Sequence, residues 1–435
     1  MTTATKKPWL EGLLAGRPAV QQKPHAWLNE LRAAALERAN SLTLPTVRQE
    51  DWRFTDLSPF YELALKPAAP ATVPAGLALE PVLAPEAGAR LVFVDGQFIP
   101  ALSSPATDGV LVTTLASGLE THAELVRSRL AQLAAFRDDA FCAINTAHLA
   151  AGALVVARPG AVAGTLVQLI FANTQAGVAV HPRCLIVAEP GSELTVLEDY
   201  IGLHADACAV NAVTEIAVGV NARVRHVRRQ RENGASFSLA SCAVRLERDA
   251  SFRSVSVALG ARISRYNLSV TQVDEGVDCQ LDGLALIHDR QLADTHSFID
   301  HARPHGTSRQ LHKCIVGGYA HAVFNGRILV RHGAQGTNSA QQSRNLLLSR
   351  RAHVDTKPQL EIFADDVKCA HGATVGQLEA EELFYLRSRG LAEPAARGLL
   401  TYGFAAEIVD RIPVPSVVAA LRRAVLQEIQ AKEAA

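Results

Sequence analysis

Lys368-Cys369-Ala370-His371-Gly372-Ala373-Thr374-Val375-Gly376-Gln377-Leu378, leading into Glu381-Glu382-Leu383-Phe384-Tyr385-Leu386-Arg387-Ser388-Arg389-Gly390, sets two soft metal ligands just before a helix. In an extended segment residues two apart share a face, so Cys369 and His371 project together while Lys368 and Ala370 face the other way. A thiolate and a neutral imidazole suit iron, zinc or copper. The imidazole sheds its proton near neutral pH more readily than an ordinary thiol. One cysteine and one histidine still make an incomplete site, because a bound transition metal takes about four ligands.

Downstream the sequence punctuates three helices. Glu379, Glu381 and Glu382 open the first, Arg387 and Arg389 close it, and Gly390 stops it, which matches the helix dipole at both ends. A second begins near Pro394 and ends before Pro413. A third follows Ser416 and aligns Val417, Leu421, Val425 and Ile429 along one side.

Upstream, from Leu154 to about Val367, the chain is a series of short β-type runs, among them Thr165 to Phe171, Val210 to Val218, Tyr266 to Val273 and Ala322 to Val330. Turn pairs such as Pro190-Gly191, Asn233-Gly234, Glu275-Gly276 and Gly317-Gly318 interrupt them. These turns fit the hairpins of a sandwich or the corners of a parallel β-helix, and no strict repeat decides between the two. Before this tract, Arg90 to Ile99 reads as a hairpin turning at Asp95-Gly96, and Leu119 to Leu149 has a helical pattern that leaves Arg127, Arg129 and Arg137 wet. The first 85 residues hold helical stretches such as His25 to Ala39 and a linker with Pro67, Pro70 and Pro74.

The Cys-Ala-His-Gly-Ala-Thr-Val-Gly run closely resembles the signature of the SufB/SufD family of iron-sulfur cluster assembly proteins, in the form of its SufD branch. Lys357 to Val367 is similar to the same branch, and Glu50-Asp51-Trp52-Arg53-Phe54-Thr55-Asp56-Leu57 is similar to the family's N-terminal Trp element. The resemblance implies a mainly β fold: a right-handed parallel β-helix core flanked by N-terminal and C-terminal α-helical regions. The expected division is a helical region over 1–85, a β-helix core over 86–372 with a helical segment near 119–149, and a helical region over 373–435. It also implies a cytoplasmic scaffold without turnover of its own, paired with a SufB-like paralogue and coupled to a SufC-like ABC ATPase. A homodimer of the isolated chain is expected to be accessible as well.

On this reading His371 faces SufB where a nascent cluster or iron is held transiently, and Cys369 is either a second contact or core packing. The family's principal cysteine and glutamate ligands belong to SufB and are not transferred here. Thr374, Gln377, Glu382, Tyr385, Leu386, Arg387 and Arg389 are the expected partner-binding residues. The chain lacks the usual phosphate cradles, so ATP hydrolysis is assigned to the partner. A different class, a metal-dependent β-helical lyase or hydrolase using Asp365, Asp366 and His371, predicts turnover by the isolated chain.

Composition agrees with a protein partner. With 435 residues and 48% hydrophobic content the chain can bury a large core, and 43 basic against 43 acidic residues leave no field to draw nucleic acid or an anionic membrane. Seven scattered cysteines without a Cys-x-x-Cys pair read as reduced thiols of a cytosol. The first residues lack the apolar core of a signal peptide, and polar residues interrupt the uncharged run Pro159 to Val180, so neither secretion nor a membrane span is expected. The irregular intervals of His288, His296, His301, His305, His312 and His321 form no zinc finger or helical zinc motif. Arg223 to Arg231 is expected to be a solvated strand face, Trp52 a packing anchor, and the polar Gly336 to Ser349 run, similar to the family's late-core region, either a ladder that reaches the partner or stacked polar turns of a β-helix.

Overall fold

The computed structural model describes residues 8–17, 26–70, 79, 82–105, 108–149 and 151–431. His25 and Pro74 lie outside the described residues. From Gly152 onward the chain winds into a parallel β-solenoid of about eight coils, each giving one strand to either of two long sheets. On one sheet the register runs from Ala209 to Phe237, Ile263, Leu292, His321 and His353, strand beside parallel strand. These steps differ in length, which is why no fixed repeat is visible in the sequence.

Stacking puts like beside like. Ile216, Val244, Val270, Ile299, Ile328 and Leu360 are successive register partners and form an aliphatic ladder inside the solenoid. Burying a side chain of this size contributes roughly 1.5–3 kcal/mol. Early strands such as Ala209–Val218 are buried at every position, because the helical regions cover their outer face. Phe60 and Phe141 pack on Phe237 and Leu239 there, with Ala35 and Ile144 in the same cluster. Trp52 joins them half-buried, with the Arg265 guanidinium 4.1 Å above its ring.

The Asp95-Gly96 turn forms as expected, with φ of 49° and 79°, and pairs Phe93 with Phe98. The strand Ala87–Val94 also joins the solenoid by pairing in parallel with Val162–Asn173. The Leu119–Leu149 pattern is instead divided among helices Leu115–Thr121, Ala123–Arg129 and Ala140–His148. Glu215 causes part of that break by accepting backbone N–H groups from Ala131, Leu133 and Ala134. The Asp139 carboxylate then caps the last helix through Phe141 and Cys142.

The basic run Arg223–Arg231 is not a solvated face. Arg223 and Arg225 are exposed, but Arg228 lies inside the solenoid between the rings of Tyr200 and Tyr266, 4.9 and 4.7 Å away. Arg229 is buried on the other side against Asp199. Burial of these two is tolerated because the Arg228 guanidinium meets aromatic faces and that of Arg229 a carboxylate.

The C-terminal helices do not cap the solenoid's end. Glu393–Val409 and Pro415–Ala431 lie along the flank of the second sheet, where Ile408, Val409, Val417, Leu421 and Val425 pack on Val257, Leu286 and Ile315. Lys313 fastens them through Glu407 at 2.6 Å, and Arg411 through Asp282 at 2.6 Å. The side chain of Ile429 lies outside the described ones. Among the described residues no helix is long and apolar enough to cross a membrane.

Candidate functional site at the open end of the solenoid

The two ends of the solenoid differ. At the N-terminal end, Val110–Thr114 closes one sheet by antiparallel pairing with Gly152–Ala157, and Gln97–Phe98 does the same for the other. At the C-terminal end, His353–Ile362 and Val367–Gly376 each pair on one side only, leaving two ten-residue strands with free edges. Such an edge is a template for another strand.

Cys369 and His371 lie on the second of these edges. Cys369 is the register partner of buried Ser339 and packs partly on the interior cluster, and His371 is the partner of buried Gln341. Both therefore face the solenoid's interior from its last rung, as the alternation of the strand requires. His371 is exposed because no coil follows it. The other six cysteines are buried, and burial pushes their thiols up, to about 12 for Cys208 and Cys314. Cys369, half-buried, is also raised by burial. It remains the one thiol within reach of a partner.

The rung below is polar. Ser308 and Ser339 hydroxyls are 2.6 Å apart, the Gln341 amide donates to Gln310 at 2.7 Å, and the Gln310 amide donates to Ser297 at 2.8 Å. Gly326 makes room for this chain, since a Cβ there would lie 2.3 Å from the Gln341 amide nitrogen. The Gly336–Ser349 run is thus mostly a single strand, Thr337–Leu347, whose alternate polar side chains Ser339, Gln341, Ser343 and Asn345 are buried inside the solenoid.

Among the described residues no third Cys, His, Asp or Glu joins Cys369 and His371 in a ligand cluster. Asp365 and Asp366 are exposed on the turn between the two edge strands and form no such cluster with His371. The further ligands of a cluster at this rung would have to come from another molecule.

Thr374 is on the edge strand, where its carbonyl accepts from the Asn345 amide at 3.0 Å, and Gln377 is in the exposed connection that follows. Glu382, Tyr385, Leu386, Arg387 and Arg389 belong to helix Ala380–Ser388 and its C-cap. None of that helix is buried; Leu386 is half-buried, Arg387 pairs with Glu393 at 3.3 Å, and Arg389 stacks on Tyr385 at 5.1 Å. Sequence reasoning missed the largest apolar side chain on this surface, Phe384, which is 73% exposed, is followed on the helix by exposed Tyr385, and lines a shallow groove with Leu391. Its weak amphipathic pattern was the available signal, since a helix without a buried stripe shows its apolar residues to solvent or a partner.

Comparison with known proteins places these features in one family. Residues 170–404 match the SufBD core domain of the SUF system for FeS cluster assembly, and residues 6–169 match the SufBD protein N-terminal region. An iron-sulfur cluster assembly SufBD family protein of Synechocystis sp. is 40% identical over 91% of this chain and 89% of its own length. The iron-sulfur cluster assembly protein SufD of Escherichia coli is 35% identical over 85% of each chain, and that of Bacillus subtilis 26% identical over 96% of this chain and 97% of its own.

Proposed function

The chain belongs to the SufBD family of iron-sulfur cluster assembly proteins, and from that premise we propose that it is the SufD-type subunit of a complex with SufB-type and SufC-type proteins. The observation that carries this reading is the open terminal coil. Two unpaired strand edges border the last interior rung, where Cys369 and His371 face inward and no further coil covers them. A SufB-type solenoid pairing edge to edge would continue both sheets and supply the missing ligands. The nascent cluster, or its iron, is then cargo held between two chains, with His371 as this chain's ligand and Cys369 as a weaker contact.

The exposed Phe384, Tyr385 and Leu391 surface, with Thr374, Gln377, Glu382, Leu386, Arg387 and Arg389 on the same strand end and helix, is the docking face for the SufC-type ATPase. Nucleotide chemistry enters through that partner, and this chain acts in the cytosol as a scaffold without its own turnover. Alone, the same edges allow pairing with a second copy. The test is a tagged pull-down with the SufB-type and SufC-type proteins of the same cell. Recovery of both supports the reading; a chain that recovers neither overturns it.

A further inference from the structure

A second donor cluster lies at the same end of the solenoid but on the outer face of the other sheet. His321 and His353 are register partners on adjacent parallel strands, and Asp355 follows two residues after His353, on the same face. The Asp355 Oδ2 is 2.7 Å from His321 Nε2 and 3.2 Å from His353 Nε2, and the three donor atoms all lie within 4.8 Å of one another. Among the described residues this is the one such group of three.

Ligands about 2.1 Å from a first-row dication stand roughly 3.0–3.4 Å apart, so the 3.2 Å separation already matches an edge of a coordination polyhedron, and the 2.7 Å contact, a hydrogen bond in the metal-free chain, needs to open by only a few tenths of an ångström. Burial is graded in the same direction. The side chains of His321 and Asp355 are about one-quarter exposed and that of His353 66%, which gives a sheltered base and an outer side open to solvent. Asp355 also borders a cleft of about 140 Å³ lined by Asp294, His296 and Lys357.

We propose that His321, His353 and Asp355 form a binding site for a divalent first-row metal ion, of the two-histidine, one-carboxylate kind that suits ferrous iron and leaves positions open. The sheet supplies the preorganisation, because its register fixes the backbone of all three residues. A carboxylate that merely clamps two imidazoles by hydrogen bonds is the competing account.

The test uses the full chain, purified without oxygen, with Co(II) as the spectroscopic probe for ferrous iron. Wild type and His371→Ala should each bind one ion through these nitrogen and oxygen donors, with the same visible absorption. His353→Ala and Asp355→Ala should weaken that binding by about 100-fold or more. His353 is largely exposed, so its variant keeps the fold, and thermal melting of the metal-free proteins checks this. Unchanged Co(II) binding in a folded His353→Ala or Asp355→Ala variant, or none in the wild type, overturns the proposal. Loss of this absorption in His371→Ala would also overturn it, by moving the ion to the terminal rung.

Discussion

Gln341 and His371 are register partners on neighbouring parallel strands, yet Gln341 is wholly buried and His371 is exposed. The same inward direction that hides one side chain displays the other, because the solenoid stops there. An interior position thereby becomes an interface position without any change in local conformation.

That free rung has a direct consequence for pairing. Ala373→Lys puts a charge on the inward face of the last strand, where it is wet in the lone chain and desolvated once another coil stacks on it. Thermal stability should stay within about 0.5 kcal/mol of wild type. In a co-purification experiment, recovery of the SufB-type partner should fall at least about tenfold while the SufC-type partner is retained. Normal pairing by the lysine variant would argue against edge-to-edge assembly.

The exposed helix Ala380–Ser388 gives a cleaner target than half-buried Leu386. Phe384→Ala removes an aromatic ring that supports no buried contact of this chain, so denaturant unfolding should change little. Calorimetric titration with the SufC-type ATPase should show a loss of about 2 kcal/mol or more. An unaltered affinity would move the docking face elsewhere.

Arg183 and Glu215 form a fully buried pair in the early coils, and Arg183 also donates to Asn145 and Thr146. Arg183→Met should destabilise the chain by about 3–5 kcal/mol in urea titration, because Glu215 is left buried beside only its backbone donors. A loss below about 1 kcal/mol would mean that those backbone N–H groups alone hold the carboxylate.

Three histidines set an acid limit. Burial lowers His148, His301 and His312 to about 4 each. Their unfolded values lie near 6.5. Unfolding therefore takes up protons below about pH 6.5, and the stability these groups contribute, full above that pH, is lost as pH falls toward 4. Each adds on the order of 1 kcal/mol per pH unit in that window. Urea midpoints measured from pH 7.5 to 4.5 should fall, with most of the drop below 6.5; a flat profile would contradict the buried neutral imidazoles.

Much of the fold was legible from residues near in sequence. The Asp95-Gly96 turn, the acidic start and Gly390 stop of the helix after Glu379, and the inward Val417, Leu421 and Val425 all follow from local chemistry. The choice of solenoid over sandwich needed the family resemblance, because coil lengths vary and the pairing is invisible within any one strand. The same limit hid other features. Arg228 looked like a surface residue until Tyr200 and Tyr266, each about one coil away, were placed around it. His321 appeared isolated because His353 and Asp355 reach it through lateral register rather than motif spacing. Phe384 was passed over for Leu386 because an unpartnered helix face obeys no burial pattern.

The most direct test of the terminal rung is cluster formation on the assembled complex with and without the His371 imidazole. His371→Ala should leave the SufB- and SufC-type partners bound and ATPase activity intact, while the cluster absorbance recovered after anaerobic reconstitution falls severalfold. Cys369→Ala should lose less. Wild-type cluster yield from an intact His371→Ala complex would contradict the assignment of this histidine to the nascent cluster.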